Sequence, residues 1–235
     1  MTDIEIIQCY PAIYIKSLDA IVIADLHLGY EGIMAEHGIY IPKIQFKREK
    51  ETIERIIEIK NADRIIINGD VKHEFSETSY HEFKEVGEMF SFLKKNFNAI
   101  DVVKGNHDNF IIRITKKFEI PLHEELEIGE YLFIHGHQLP TKTEDKFIIT
   151  AHEHPAIAIF DEAGVKEKFK CFLIGKKMLV LPAFSYLAQG SEVNIIPKSE
   201  LLSPVLRKEN VDEFDVIGIT EIGCLNFGKL KNLRI

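Results

Sequence analysis

A run of apolar residues followed at once by two metal-binding residue types decides the fold of this chain. The run is AIVIADLH at residues 20–27, in which Ala20–Ala24 is continuously apolar. Such a segment is typical of a strand buried on both faces. Asp25 and His27 follow it two positions apart, so an extended chain would point the carboxylate and the imidazole to the same side. The stretch therefore predicts a buried strand with a metal site at its carboxyl end.

Four further motifs repeat this arrangement of a predicted strand followed by potential metal ligands. They are Gly69-Asp70 after Arg64–Asn68, Gly105-Asn106-His107-Asp108 after Ile100–Val103, His135-Gly136-His137 after Tyr131–Ile134, and His152-Glu153-His154 after Phe147–Thr150. Seven of the ten histidines lie in or beside the five motifs, and no cysteine-rich segment competes for a metal. Side chains at successive strand ends meet at one rim of a sheet, which here indicates a two-metal hydrolytic centre.

The motifs offer distinct chemistries. The Asp70 carboxylate can bridge two cations, and the preceding glycine lets the backbone turn closely. Asn106 offers a neutral amide oxygen. His107 can protonate a leaving alkoxide, and Asp108 can hold the His107 imidazole in the right orientation. The same segment also fits a helix start with Asp108 or Asn109 as N-cap, and the two roles are compatible.

Two histidines beside the motifs keep more than one interpretation. His73 has two interpretations. It could orient a metal ligand or the substrate, or it could be a solvated loop histidine. For His137, three interpretations stay open, namely a metal ligand, a residue behind the ligands and a structural histidine.

The rest of the pattern predicts helices outside two packed sheets. Residues 44–60 and 78–96 have apolar side chains at helical spacing, and the charged face of the first helix, which includes Glu49, is expected to be solvated. Residues 28–42, punctuated by three glycines, are predicted to form a loop, and residues 171–181 and 215–227 to form hairpins. Early alternation of strands and helices, followed by strand-rich sequence, favours an α/β (α+β) fold in a single domain.

Composition limits the class of protein. The chain has 235 residues, is 46% hydrophobic and carries a formal net charge of −8. This acidity argues against sequence-independent binding of long duplex DNA, but bound divalent metals would still permit a small phosphate ester. Three cysteines in apolar stretches are interpreted as core residues of a cytoplasmic protein. The N-terminus has no signal-peptide pattern and no apolar run is long enough to span a membrane, so no membrane contact is expected.

The five motifs, in this order, resemble the calcineurin-like metallophosphoesterase family. The resemblance implies a four-layer αββα sandwich of two mixed sheets flanked by helices. It implies one metal on Asp25, His27, Asp70 and His154, a second on Asp70, Asn106, His135 and His152, and an acid, His107, paired with Asp108. One departure is mild, because Ala151 replaces the glycine of the family's usual Gly-His-x-His while both imidazoles remain.

The segments ADLHLG at residues 24–29 and GDVKHEF at residues 69–75 look closest to a prokaryotic subgroup related to the SbcD nuclease. The mixed nitrogen and oxygen donors fit a transition metal. The resemblance makes Mn2+ the first choice for both metal ions, with Fe, Zn or Mg as alternatives.

The expected reaction is hydrolysis of a phosphodiester, in a nucleotide or a single-stranded nucleic acid, by in-line attack of a hydroxide that bridges two metals. Two alternatives stay open, a phosphomonoesterase acting on a small metabolite and a non-enzymatic scaffold of the same fold. The sequence leaves the oligomeric state undetermined.

Overall fold

Two mixed β-sheets form the framework of the molecule. The computed structural model describes residues 3–75, 79–142 and 145–235. The first sheet has six strands, which lie side by side in chain order: β1 (Ile4–Ile6), β2 (Ile13–Ile15), β3 (Ala20–Ile23), β4 (Arg64–Asn68), β5 (Ala99–Val103) and β6 (Leu122–His123). β1, β2 and β3 are antiparallel neighbours, whereas β3 to β6 are parallel. The parallel part is what brings several strand ends to one rim.

The second sheet contains the other nine strands. They are β7 (Leu126–Ile128), β8 (Tyr131–Phe133), β9 (Phe147–Thr150), β10 (Pro155–Phe160), β11 (Lys166–Ile174), β12 (Met178–Val180), β13 (Ser191–Glu192), β14 (Asp215–Thr220) and β15 (Gly223–Lys229). Seven of them lie in the order β13-β10-β11-β12-β9-β8-β7, while β14 pairs with β11 and with β15. β8, β9 and β12 are parallel neighbours. The two predicted hairpins, β11–β12 and β14–β15, are confirmed as antiparallel pairs.

An apolar interior separates the two sheets. The inward face of the first sheet contributes Ile66 and Val103, and that of the second contributes Phe133, Phe172 and Leu179. All five side chains are completely buried. Because strand residues alternate between faces, each sheet also presents a second apolar face that must be covered from outside.

Helices cover the outer face of the first sheet. They are α1 (Tyr30–Glu36), α2 (Gln45–Ile59), α3 (Tyr80–Asn96) and α4 (Ile112–Lys117). α2 buries Ile53 and Ile56, and α3 buries Val86 and Phe90, against the apolar residues of this sheet. A capping box begins α3, in which the Ser79 hydroxyl and the Glu82 carboxylate bond each other's main-chain N–H. The first residue of the helix predicted at 78–96 lies outside the described residues.

Short 3-10 turns cover the outer face of the second sheet. Val205, Leu206 and Leu230 pack there against Leu173 and Val180 of the sheet. The turns are Lys198–Glu200, Leu206–Lys208, Val211–Glu213 and Leu230–Leu233. The predicted fold of two mixed sheets flanked by helices is confirmed, and the structure adds that this fourth layer is made of 3-10 turns.

Three local predictions are wrong. The expected loop at residues 28–42 contains α1, which begins after Gly29 in a left-handed conformation (φ 90°). Neither Asp108 nor Asn109 caps a helix, because α4 begins after Ile111 and without a side-chain cap. Cys9 and Cys224 are half-buried rather than core residues, so the core prediction holds only for Cys171.

Within the described parts of the chain, no helix combines the length and the apolar character that a membrane span requires.

Candidate metal centre

The predicted metal ligands converge because the strands before them end at the same rim. β3, β4 and β5 are parallel neighbours in the first sheet, and β8 and β9 in the second. The loops that follow β3 and β4 stay hydrogen-bonded to each other beyond the strand ends. The main-chain N–H of Asp25 donates to the carbonyl of Gly69, and that of His27 to the carbonyl of Asp70, each at 2.9 Å. The structure brings all seven predicted ligands together.

Left-handed backbone, rather than strand alternation, aims most of these side chains. The φ angle is 58° at Asp25, 51° at His27, 50° at Asp70, 67° at His152 and 48° at His154. Residues other than glycine seldom adopt such angles, and they do so mainly where function requires it. All five residues follow strands that have already ended. The residues that the sequence pattern predicted do converge, but the expected extended geometry of the pairs is wrong.

Two glycines permit the close approach of the connections. A Cβ atom on Gly69, whose φ is 100°, would lie 2.1 Å from Nδ1 of His135. One on Gly105 would lie 2.0 Å from Oδ1 of Asp70. No side chain fits in either place, so the role predicted for Gly69 is confirmed for steric reasons.

The first group of donors consists of four side chains from three connections, because Asp25 and His27 both follow β3. Asp25, His27, Asp70 and His154 each offer one donor atom, and these atoms lie within 4.8 Å of one another. Nε2 of His154 is 3.3 Å from Nε2 of His27 and 3.4 Å from Oδ1 of Asp25. Two ring nitrogens at that distance gain nothing from each other unless a proton or a cation lies between them.

The second group shares Asp70 with the first. Donor atoms of Asp70, His135 and His152 also lie within 4.8 Å of one another. Nε2 of His135 is 3.2 Å from Oδ2 of Asp70 and 3.1 Å from Oδ1 of Asn106. The amide oxygen of Asn106 therefore faces the same point as the second group.

Burial without hydrogen-bond partners shows that this cluster fits cations. Asp25 is completely inaccessible to solvent, and Asp70 and His135 are 1% exposed. Neither oxygen of Asp25, nor Nδ1 of His27, has a hydrogen-bond partner in the part of the chain that the structure describes. A buried carboxylate is costly unless it is paired or coordinates a metal.

The charge states of these groups also suit metal binding. Burial alone raises the pKa of Asp70, and likewise that of Asp25, but nearby imidazoles, chiefly His135 and His154 respectively, lower both below the usual range. Burial lowers the pKa of His27 to about 3. Burial opposes protonation of His135 as well, yet the two carboxylates raise its pKa to about 9. A metal on His135 would therefore replace a proton.

His107 lies beside the two groups, but Asp108 does not contact its ring. The main-chain N–H of His107 donates to Oδ1 of Asp70 at 2.9 Å, and Nδ1 of the ring contacts the carbonyl of His73. The buried Asp108 carboxylate instead accepts main-chain N–H bonds from Val71 at 2.9 Å, Lys72 at 3.3 Å and Gly105 at 2.8 Å. The predicted contact between the Asp108 carboxylate and the His107 imidazole is wrong. Asp108 joins the two connections that carry Asp70 and His107.

His73 and His137 lie at opposite borders of the cluster. The His73 ring is stacked with the His107 ring at a centroid distance of 5.4 Å and meets Tyr30 edge-on at 4.5 Å. His137 lies 5.3 Å from His135 between ring centroids. Of the interpretations left open for His73, the structure disfavours a solvated loop histidine, because its Nδ1 is buried and its ring packs against Tyr30 and His107.

Sequence reasoning missed a buried polar network behind the first group. The side-chain amide of Gln45 donates to the carbonyls of Leu26 and His27, at 2.8 and 3.1 Å, and also contacts Glu49 and Ser185. Glu49 is only 2% exposed, so its predicted place on a solvated helix face is wrong. Burial raises the pKa of Glu49 to about 8. The signal that could have found it is spacing, because Glu49 lies four positions before the buried Ile53 and therefore on the same face of the helix.

A family model and one solved structure agree with this architecture. The family model described as calcineurin-like phosphoesterase matches residues 19–179. A crystal structure of nuclease MPE from Pseudomonas putida is similar in fold, with a TM-score of 0.65, 19% sequence identity and coverage of 92% of each chain. Yfce, a phosphoesterase from E. coli, aligns with a TM-score of 0.42 at 13% identity, over 92% of this chain and 95% of that one. No curated protein matches the chain significantly.

The family match spans more than half of the chain and contains every motif of the metal centre. The chain therefore belongs to the calcineurin-like phosphoesterase family and is a hydrolase that acts on phosphate esters.

Proposed function

We propose that this phosphoesterase holds two divalent metal ions at the rim and hydrolyses a phosphodiester. The observation that carries this proposal is that two separate groups of donor atoms share one carboxylate, that of Asp70. A shared carboxylate holds two cations close enough to act on one phosphoryl group. The proposed ligands are Asp25, His27, Asp70 and His154 for the first ion, and Asp70, Asn106, His135 and His152 for the second.

Donor chemistry supports a transition metal. Imidazole nitrogens are combined with carboxylate and amide oxygens, and no cysteine belongs to either group. Mn2+ is our first choice, with Fe, Zn and Mg as alternatives. When bound, the two ions would polarise the phosphoryl oxygens and lower the pKa of water to supply the nucleophile.

The chain itself supplies the proton for the leaving oxygen. We assign this step to His107, whose Nδ1–H would donate to the carbonyl of His73 and leave Nε2–H directed to the leaving oxygen. After transfer, the neutral ring would keep its proton on Nδ1, the tautomer that the carbonyl favours. Asp108 acts as a positioning residue, because it holds the main chain just before His73.

His107 is available to protonate the alkoxide that leaves when a diester, our preferred substrate, is cleaved. The Pseudomonas putida neighbour is described as a nuclease, which agrees with a nucleotide or single-stranded nucleic acid as substrate. A phosphomonoesterase for a small metabolite is the second candidate, favoured by the net charge of −8. We further propose that residues 1–235 form one domain of a cytoplasmic enzyme in the SbcD-related subgroup.

A metal-by-substrate assay tests this function. The purified chain, stripped with EDTA and reloaded with Mn2+, is assayed on bis-p-nitrophenyl phosphate and on p-nitrophenyl phosphate. Asp70→Ala and His107→Ala are compared with His37→Ala, whose side chain is exposed at the end of α1. Bound metal is counted by elemental analysis.

We expect the diester to be hydrolysed faster than the monoester. Asp70→Ala should lose metal and activity together. His107→Ala should keep metal and lose about 100-fold or more in kcat on dithymidine phosphate, assayed in the same way, because its alkoxide leaving group must be protonated. On the nitrophenyl esters His107→Ala should lose much less, because p-nitrophenolate is a weak base that leaves without a proton. His37→Ala should match the wild type. Full activity in both site variants would overturn the mechanism, and a faster monoester reaction would favour the second candidate.

A further inference from the structure

An exposed aromatic ring lies against the proposed proton donor. Phe75 is 51% exposed, yet its ring centroid is only 3.6 Å from that of His107, at an interplanar angle of 32°. The contact covers part of the phenyl ring and leaves the rest open to solvent. A large apolar side chain held open beside a phosphoryl site has no role in the core.

The position of Phe75 is fixed by the same loop that carries His107. The Asn109 side-chain amide donates to the carbonyl of Phe75 at 2.9 Å and to that of Asn106 at 3.4 Å. The ring is therefore held next to the donor by the main chain as well as by its own contact.

A second exposed aromatic residue and an arginine follow Asn109 in the chain. Phe110 directly follows Asn109, is 48% exposed and has a left-handed backbone with φ of 66°. The guanidinium carbon of Arg113 lies 5.6 Å from the Phe110 ring centroid. In the described part of the chain, no carboxylate pairs with Arg113.

We propose that Phe75 stacks the base of the nucleotide on the leaving side of the scissile phosphate, and that Phe110 and Arg113 extend this contact along a single strand. This inference rests on the proposed phosphodiesterase function. Every base has a flat face that stacks on an aromatic ring, and an arginine beside such rings suits the next phosphate. Stacking on Phe75 requires a base released from its duplex neighbours, so the substrate is a single strand or a short nucleotide diester.

The role of His107 determines which of the two nucleosides stacks on Phe75. Because this residue donates to the leaving oxygen, a ring stacked on it adjoins the leaving nucleoside rather than the nucleoside that keeps the phosphate. The leaving nucleoside can be identified directly, since it is the product released without phosphate.

Dithymidine phosphate and two analogues test this directly. In each analogue a tetrahydrofuran abasic unit replaces one of the two nucleosides. Wild type, Phe75→Ala and Phe75→Leu are loaded with Mn2+ and compared with Phe160→Ala, an exposed phenylalanine on β10 of the second sheet. We expect the wild type to lose about tenfold in kcat/KM when the leaving base is absent, which is about 1.4 kcal/mol of stacking.

Both Phe75 variants should lose that factor on dithymidine phosphate and be indifferent to the leaving base, while Phe160→Ala should behave as wild type. Leucine keeps an apolar contact with His107 but has no flat face, so it separates stacking from support of the donor. Equal losses on all substrates would mean that Phe75 only supports His107, and would overturn the inference. Hydrolysis of diesters without base preference would also overturn it while leaving the proposed function intact.

Fluorescence supplies a measurement that needs no metal or turnover. The chain contains no tryptophan, so Phe75→Trp introduces a single reporter. Short oligothymidylate, added in EDTA, should quench it by stacking and should not quench Phe160→Trp. Unchanged fluorescence of Phe75→Trp at saturating oligothymidylate would overturn the inference whether or not the enzyme hydrolyses diesters.

Discussion

Two groups of aspartate and histidine side chains on the first sheet differ in whether the carboxylates have hydrogen-bond partners. Within the sheet, the Asp101 carboxylate accepts hydrogen bonds from Nη1 of Arg64 and Nε2 of His123, each at 2.9 Å. We call this set the sheet cluster. At the rim, Asp25 is surrounded by histidines, yet neither of its oxygens has a hydrogen-bond partner in the described residues.

The difference teaches how to separate a structural carboxylate from a ligand. Asp101 has its partners in the protein, so its charge is compensated once the strands are paired. Asp25 is more deeply buried and less well paired, an arrangement that is stable only if a cation completes it. Residue type alone does not distinguish the two sites, whereas hydrogen-bond satisfaction does.

The largest expected effect comes from neutralising one carboxylate in each cluster. Asp25→Asn should lower Mn2+-dependent activity at least about 100-fold, since it removes a proposed ligand. It should also reduce the Mn2+-induced rise in Tm, which for the wild type we expect to be about 5–10 °C at saturating metal, because the first ion loses a ligand while the second keeps all of its own. Activity assays and thermal scans with and without EDTA measure both quantities.

Asp101→Asn is the matched control for that comparison. It should keep the activity and the metal-induced shift but lower the Tm of the metal-free protein by several degrees, because charged hydrogen bonds contribute about 1.5–3 kcal/mol. If Asp101→Asn lost metal binding, or Asp25→Asn bound metal as fully as the wild type, the distinction between the clusters would be wrong.

An intermediate effect is expected for Asp108, a carboxylate at the rim whose oxygens accept hydrogen bonds from main-chain N–H groups. Asp108→Asn replaces one acceptor by an NH2 group that faces a main-chain N–H, so the joined connections should loosen. We expect kcat to fall about 10–100-fold with little change in KM. Stability should fall by about 1–3 kcal/mol.

Steady-state kinetics and urea unfolding measure these two losses. Asp215→Asn, which alters a surface ion pair with Lys229, serves as the control and should change neither. A loss of stability without a loss of kcat would place Asp108 with the sheet cluster, as a structural residue only.

The smallest expected effect on activity concerns Glu49, a buried carboxylate with one oxygen that has no hydrogen-bond partner in the described residues, and its prediction is about the pH dependence of stability. Burial raises its pKa in the folded protein to about 8, from an ordinary value of 4.5. Between these pH values the folded state keeps a proton that the unfolded state releases, so the stabilising contribution is complete below pH 4.5 and declines as pH rises through 8.

Glu49→Gln removes this titration. Relative to wild type, its free energy of unfolding should rise progressively from about pH 5 to about pH 9. Urea unfolding across that pH range measures the difference. Glu54→Gln, on the exposed side of the same helix, should follow the wild type. Parallel curves for Glu49→Gln and wild type would show that Glu49 has an ordinary pKa.

Much of the fold was predictable because strand signals are local. β4 (Arg64–Asn68) and β9 (Phe147–Thr150) have the predicted bounds, since continuous apolar runs ended by polar residues have few other solutions. α1 was missed because the glycines around it resemble loop punctuation, whereas one of them, Gly29, provides the left-handed turn that begins the helix. β10, Pro155–Phe160, was missed as well, because it begins with a proline directly after a ligand motif.

The sequence by itself predicted which residues the structure brings together at the proposed metal centre. Spacing after predicted strands was enough, because parallel strands must end at a common rim whatever their exact conformation. Tertiary structure alone decided how those residues are aimed, through left-handed backbone at five ligands, and which carboxylates lack partners. It also decided that the Asp108 carboxylate accepts main-chain hydrogen bonds rather than contacting the His107 ring, and that Glu49 is buried. The exposed Phe75 ring lies against His107 for the same reason. These properties depend on contacts between segments far apart in the chain, and no local pattern records such contacts.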